Sequence, residues 1–175
     1  SIFKEVTHLN VINKDTANRF NSFFANVGIQ VQKKLKVFIK PPSLNTKGIF
    51  NFSPETTERI EHLIKRIKPN VATGHDELSA KLIKAAIPVI TEDLKNLVNL
   101  SYETRTFPDQ LKLAKVKALH KKGDNNDPEQ YRPVSILTII SKVFERSAID
   151  QMVEYYTSKN ILNPRQHAYR KYHST

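Results

Sequence analysis

Lys115-Val-Lys-Ala-Leu-His120 and Tyr131-Arg-Pro-Val-Ser-Ile136 are the two stretches on which the fold turns. Each approaches the alternation of a strand, in which successive side chains point to opposite faces. Between them lies a polar loop, Lys122-Gly-Asp-Asn-Asn-Asp-Pro-Glu-Gln130, rich in residues that leave regular structure. Two short strands around such a loop predict a β-hairpin with a long tip.

Outward from the hairpin the period becomes helical. On the C-terminal side, Ile139 to about Tyr156 places Ile140, Val143, Phe144, Ala148, Met152 and Val153 along one side of a helix. On the N-terminal side, Pro88 and Thr91 start a helix with Val89, Ile90, Leu94, Leu97, Val98 and Tyr102 inward, ended by Phe107-Pro108. Ser79 caps a shorter helix through Leu82, Ile83, Ala86 and Ile87. Ser53-Pro54 reads as an N-cap followed by proline at the first helical position, opening a helix with Ile60, Leu63, Ile64 and Ile67 buried and Pro69 beyond its end. Phe38 to Asn51, with Pro41-Pro42 and Gly48, reads as a linker. Asp15 to about Leu35 carries Phe20, Phe23, Phe24, Val27 and Val31 on one stripe. The expected fold is α+β, mostly helical, with one small antiparallel hairpin sheet.

Composition narrows the function classes. The chain has 175 residues, 39% of them hydrophobic, and a formal charge of +11. It has no cysteine, which removes disulfides, thiolate metal sites and cysteine nucleophiles together. No stretch approaches about 18 consecutive apolar residues and no secretory pattern opens the chain, so a soluble, intracellular protein with no membrane-spanning segment is expected. So large a positive excess favours a polyanion, because each cation set against phosphate releases a condensed counterion. Nucleic acid comes first and an anionic membrane surface second.

The cations are clustered. Lys112, Lys115, Lys117, Lys121 and Lys122 lie together, and Arg132 follows on the second strand. Lys121, Lys122 and Arg132 would converge near the base or tip of the hairpin, point-charge ammoniums beside a guanidinium fork that binds two oxygens at once. That pairing suits a phosphate chain; the alternative is a solvated hairpin whose lysines only keep the protein soluble. A second run interleaves Arg165, Arg170 and Lys171 with Tyr169 and Tyr172, cations for phosphates beside rings for bases; ordinary surface is the alternative. Other sites fail. Asp124-Asn-Asn-Asp-Pro-Glu129 lacks the glycine a calcium loop needs at its sixth position, and the six histidines have no metal-ligand spacing. Gly74-His75-Asp76 reads as a turn, with no nucleophile placed near it.

The order of segments resembles a known family. Thr16-Ala-Asn-Arg-Phe-Asn-Ser-Phe-Phe-Ala-Asn-Val-Gly28, Ala72-Thr-Gly-His-Asp-Glu-Leu78, Phe107-Pro-Asp-Gln-Leu-Lys-Leu-Ala-Lys-Val116, Lys121-Lys-Gly-Asp124, Tyr131-Arg-Pro-Val-Ser-Ile-Leu137, Ser141-Lys-Val-Phe-Glu145 and Gln166-His-Ala-Tyr-Arg170 resemble the N-terminal half of reverse transcriptases from non-LTR (LINE, jockey-like) retrotransposons. The resemblance implies a helical linker over 1–50 and the fingers of a right-hand polymerase over 51–175. It implies that Arg132 and one of Lys121 or Lys122 contact the incoming nucleotide triphosphate. Gly74, Asp76, Gln166, Tyr169, Arg170 and Lys171 would lie against the template. Where the family usually has proline, glycine, glycine and phenylalanine, this chain has Thr73, Glu77, Ala168 and Tyr169.

The family's palm carboxylates, which hold two metal ions, come after the Ser174-Thr175 with which this sequence closes, so no catalytic residue or metal ligand is expected here. Magnesium is implied only for the full-length polymerase, with RNA template, DNA primer, a deoxynucleotide triphosphate and the palm and thumb as partners, in cytoplasm and nucleus. The sequence reads as a fingers fragment unable to polymerise alone; a non-catalytic basic RNA or DNA binder, or a decayed remnant, is the alternative.

Overall fold

The computed structural model describes residues 14–34, 48–163, 165, 167 and 168. Five helices and two strands follow one another as α1 (Lys14–Lys34), α2 (Thr57–Arg66), α3 (Ala80–Ala85), α4 (Ile87–Thr104), β1 (Ala114–His120), β2 (Tyr131–Leu137) and α5 (Ile139–Ser158). Single 3-10 turns occupy Asp109–Lys112 and Pro128–Gln130. The mostly helical α+β chain with one two-stranded antiparallel sheet is the fold class expected from the periods. Contacts gather the chain into two compact units, α1 with the hairpin and α2–α4 with α5.

The helical unit is built around Ile60, Leu63, Ile64, Ala80, Ile83, Leu94, Val98, Ile139, Val143 and Phe144. Each large member contributes about 1.5–3 kcal/mol by leaving water. Caps set the helix starts: Ser79 Oγ accepts from Leu82 N at 3.2 Å, and Thr138 Oγ1 accepts from Ser141 N at 3.1 Å. Helix α4 starts without a side-chain cap, at the Ala86 that ends α3, with Pro88 in its first turn.

The start of α2 differs from the sequence reading. Ser53-Pro54 is not the cap; Thr56 is, and its hydroxyl accepts from Arg59 N at 3.2 Å. Two side-chain amides explain the delay. Gln151 Oε1 accepts from Ser53 N (2.8 Å) while its Nε2 donates to Ser53 O (3.0 Å). Asn99 Oδ1 accepts from Glu55 N (2.7 Å) while its Nδ2 donates to Glu55 O (3.0 Å). Both residues' backbone groups are therefore engaged as they would be in a sheet ladder, and the first helical turn waits for Thr56.

The residues before them, read as the end of a linker, form a strap. Phe52 stacks on Tyr102 with centroids 4.3 Å apart, and Phe50 meets Phe52 and Tyr155 at 4.8 and 5.2 Å. Tyr155 OH donates to Gly48 O at 3.1 Å. Beneath the strap, Glu55 is 8% and Ser147 0% exposed. Ser147 Oγ donates to Glu55 Oε1 (2.5 Å) and shares a hydrogen bond with Tyr102 OH (2.5 Å), while Gln151 Nε2 also donates to Glu55 Oε1 (2.9 Å). Burial pushes the Tyr102 hydroxyl pKa up against the opposing bond from Ser147, and the Glu55 charge adds to the rise.

Several residues assigned inward face out: Val89 is 78%, Leu97 41% and Val153 52% exposed, while the small polar Ser141 and Ser147 occupy the buried side of α5. Val27 and Val31 of α1 are exposed as well, leaving Phe20 as that helix's buried residue.

In the other unit, the equal strand extents and the bond from Lys121 N to Gln130 O (2.7 Å) fix the register of the hairpin. Tyr131 lies opposite His120, their rings 4.9 Å apart. Arg132 then lies opposite Leu119, and Pro133 opposite Ala118. In this register Pro133 occupies a pair whose amides point away from the partner strand, so its missing N–H removes no ladder bond. Tyr131 is buried, edge-on to Phe20 at 4.9 Å, and its hydroxyl donates to Asn125 O at 2.8 Å. Arg19 Nη2 donates to Asn126 O at 2.8 Å. The tip is tied by its own acids: Asp124 Oδ1 accepts from Asn126 N, Asp127 Oδ1 from Glu129 N and Asp127 Oδ2 from Gln130 Nε2. The Glu129 amide, then Gln130, hold the Asp127 pKa below the usual carboxylate range. Gly123 turns the chain at φ +88, a left-handed geometry that glycine adopts without strain.

Candidate nucleic-acid interface

Side chains alternate across a strand, so the register sorts the cations of the hairpin. Arg132 shares its face with Lys115, Lys117 and Lys121; Val116, Ala118, His120, Tyr131 and Pro133 belong to the other face. Lys117 and Lys121 are the diagonal neighbours of Arg132, about 7–8 Å away in an antiparallel pair. Lys122 lies one residue further, in the loop beside Gly123. The sequence treats Lys121 and Lys122 alike; the register puts Lys121 beside Arg132.

Lys121, Lys122 and Arg132 are exposed, and none of them enters an ion pair among the described residues. Lys112, grouped with them by sequence, is instead paired with Asp109 at 2.7 Å. Arg132, on β2, and Lys121, just past the end of β1, thus put a guanidinium fork and an ammonium on one face of the hairpin, neither in an ion pair among the described residues.

The Gly74 segment is the turn expected, with Glu77 N donating to Gly74 O at 3.3 Å. Gly74 is buried for want of space: an added Cβ would sit 2.6 Å from Thr138 N, 2.7 Å from Thr138 Cα and 2.9 Å from Leu137 C. Asp76 Oδ1 accepts from Leu78 N at 3.2 Å, so its carboxylate serves the turn. Glu77 has φ 58, the left-handed region that favours glycine, at the position where the resembled family usually carries one. Replacing Glu77 by glycine is expected to stabilise the chain by about 0.5–1 kcal/mol, the strain relieved exceeding the entropy added to the unfolded chain. A raised midpoint in urea at unchanged m-value checks it.

A basic groove between α2 and α5 carries no motif and is missed by sequence reasoning. Arg66, Lys142 and Arg146 line it over Leu63, Ile67 and Val143, and its volume is about 230 Å3. Lys142 and Arg146 stand one helical turn apart on α5, and Arg66 is in the last turn of α2. The only signal along the chain is that four-residue spacing; the pairing of α2 with α5 is not local.

Gln166, Tyr169, Arg170 and Lys171 lie outside the described residues. Arg165 is described, its N–H donating to Asn163 Oδ1 at 2.9 Å. Among the described residues no three His, Asp or Glu side chains are grouped to hold a metal ion, so these residues do not fit a two-metal centre. No described helix is long and apolar enough to cross a membrane.

No family model matches the chain. Individual proteins do. The probable RNA-directed DNA polymerase from transposon BS of Drosophila melanogaster is 31% identical over 123 residues, 70% of this chain. The one from transposon X-element of the same fly is 36% identical over 121 residues, 66% of this chain. The RNA-directed DNA polymerase from mobile element jockey, also from Drosophila melanogaster, is 26% identical over 124 residues, 70% of this chain. The matched stretches amount to 13–14% of the length of these relatives. The chain is thus a relative of the RNA-directed DNA polymerases of jockey-like non-LTR retrotransposons, similar to one short stretch of them.

Proposed function

We propose that this chain forms the fingers part of an RNA-directed DNA polymerase, and that the Arg132 face of its hairpin binds the phosphates of the incoming deoxynucleoside triphosphate. One observation carries the reading: Arg132 and Lys121 are diagonal neighbours on one face of a tied hairpin and share no carboxylate. The guanidinium would hold two oxygens of one phosphate while the Lys121 ammonium meets the next as a point charge. Phe20 and Tyr131 brace the hairpin from the other side, and the tip bonds of Asp124 and Asp127 fix the loop, so little ordering entropy opposes binding.

Template contact belongs in this reading to the turn at Gly74 and Asp76 and to residues 166–171, with the primer, palm and thumb supplied by the remainder of the polymerase. Magnesium would be held by carboxylates other than those described. Lys122, off the Arg132 face, is a secondary contact.

Titrating the full chain with a fluorescent deoxynucleoside triphosphate tests the assignment. Arg132→Gln is expected to weaken binding by about tenfold, the equivalent of one charge-assisted bidentate contact, and Lys121→Gln severalfold. Lys122→Gln should matter least. Unchanged binding in Arg132→Gln would sink the reading, and RNA binding without triphosphate binding would favour a non-catalytic nucleic-acid binder.

A further inference from the structure

The groove between α2 and α5 belongs to the helical unit, and no carboxylate lines it. Its cations are Arg66, Lys142 and Arg146, and its floor is the apolar trio Leu63, Ile67 and Val143. Arg66 makes no ion pair among the described residues. Arg146 gives only its Nε to Asp150 Oδ1 (2.9 Å), and the other oxygen of Asp150 is held by Arg59 Nη2 at 2.6 Å. Arg59 thus offsets Asp150 and leaves the outer edge of the Arg146 guanidinium uncommitted.

Lys142 Nζ donates to Ala72 O at 3.3 Å beside the Gly74 turn. Its partial burial lowers its pKa, with Asp76 and Glu145 pulling the other way. It is therefore an ammonium with incomplete solvation, which gains more from an added anion than a fully hydrated lysine does.

The geometry points to a backbone-phosphate subsite for single-stranded nucleic acid in the α2–α5 groove, held by Arg66, Lys142 and Arg146. About 230 Å3 is below the size of a whole-ligand pocket and fits one phosphate with its sugar. Leu63, Ile67 and Val143 give the sugar an apolar bed. No aromatic ring lines the groove, so nothing there stacks or reads a base. Binding should therefore be indifferent to sequence and nearly so to the 2′-hydroxyl. The subsite also extends the template reading at the Gly74–Asp76 turn, adding a phosphate contact from Lys142, whose Nζ donates to Ala72 O. The choice of nucleic acid over other phosphate carriers rests on the proposed polymerase role and on the charge of +11.

The test uses the full chain, a short single-stranded RNA, the same sequence as DNA, and vesicles of phosphatidylcholine with phosphatidylserine. Arg66→Gln with Arg146→Gln is expected to weaken binding of both nucleic acids about tenfold at low salt and to flatten the log–log salt slope by about 0.7, the value for one phosphate on a single strand. Triphosphate binding by the hairpin should be unchanged, so the two sites fail independently. Arg66→Gln alone, at an exposed side chain without an ion pair among the described residues, preserves the fold and should weaken binding severalfold, with a smaller flattening of the slope than in the double variant. Unaltered affinity and slope in either variant, or no RNA binding by the parent chain, overturns the subsite. Loss of vesicle binding with RNA binding intact overturns it in favour of a membrane contact.

Discussion

Replacing Gly74 by alanine is expected to cost the helical unit about 3 kcal/mol, at the upper end of what overpacking usually costs. The added methyl would meet only backbone, at 2.6–2.9 Å from Thr138 N, Thr138 Cα and Leu137 C. No rotamer can swing away. Relief would have to come from moving the β2–α5 junction, where Thr138 caps α5 and the core residue Ile139 follows. Chemical denaturation followed by far-UV circular dichroism measures the loss. Gly28, in the middle of α1, is the matched control: nothing lies within 4 Å of its added Cβ. There the same substitution should stabilise by about 0.5–1 kcal/mol through helix propensity. If Gly74→Ala and Gly28→Ala behave alike, the close approach is not what the glycine serves.

Glu55→Ala is expected to destabilise by about 3 kcal/mol, because it strips the acceptor from a fully buried hydroxyl and a side-chain amide at once. Ser147 Oγ and Gln151 Nε2 both donate to Glu55 Oε1, and Tyr102 OH joins through Ser147. Truncating the carboxylate leaves these groups short of partners under a stacked Phe52–Tyr102 lid, where water cannot readily replace it. Tyr102→Phe removes one hydroxyl at the margin of the network and should cost only about 1 kcal/mol. Measuring both variants by urea unfolding separates a network from a set of independent contacts. A Glu55→Ala loss no larger than that of Tyr102→Phe would show that the carboxylate is not its hub.

What the sequence made legible is what is local. The hairpin could be read because a period of two on either side of a Gly-Asp-Asn-Asn-Asp-Pro loop has few other realisations, and Ser79 because its cap acts three residues on, at Leu82. Ser53-Pro54 imitates the same local signal and loses to Asn99 and Gln151, whose brackets come from 44 and 98 residues away. Gly74 stands out in the sequence through its turn and the family resemblance, while its packing reason sits on the backbone of residues 137 and 138. The pairing of Arg132 with Lys121 follows from strand alternation only once the Lys121–Gln130 bond has fixed the register. The Arg66, Lys142 and Arg146 groove needed the packing of α2 on α5. Val89 and Leu97 faced outward because spacing finds a stripe without telling which neighbour, if any, will cover it.

Pro133 gives the small sheet a direction of growth. Its ring stands at an outward-facing backbone position of β2, where an added strand would look for an N–H donor and meet a methylene instead. On β1 the corresponding positions, Val116, Ala118 and His120, keep their amides. An added strand would thus find a full set of outward amide donors on β1 but not on β2. On β2 the outward amides of Tyr131 and Ser135 are separated by that missing donor, so a single residue weakens pairing along this edge.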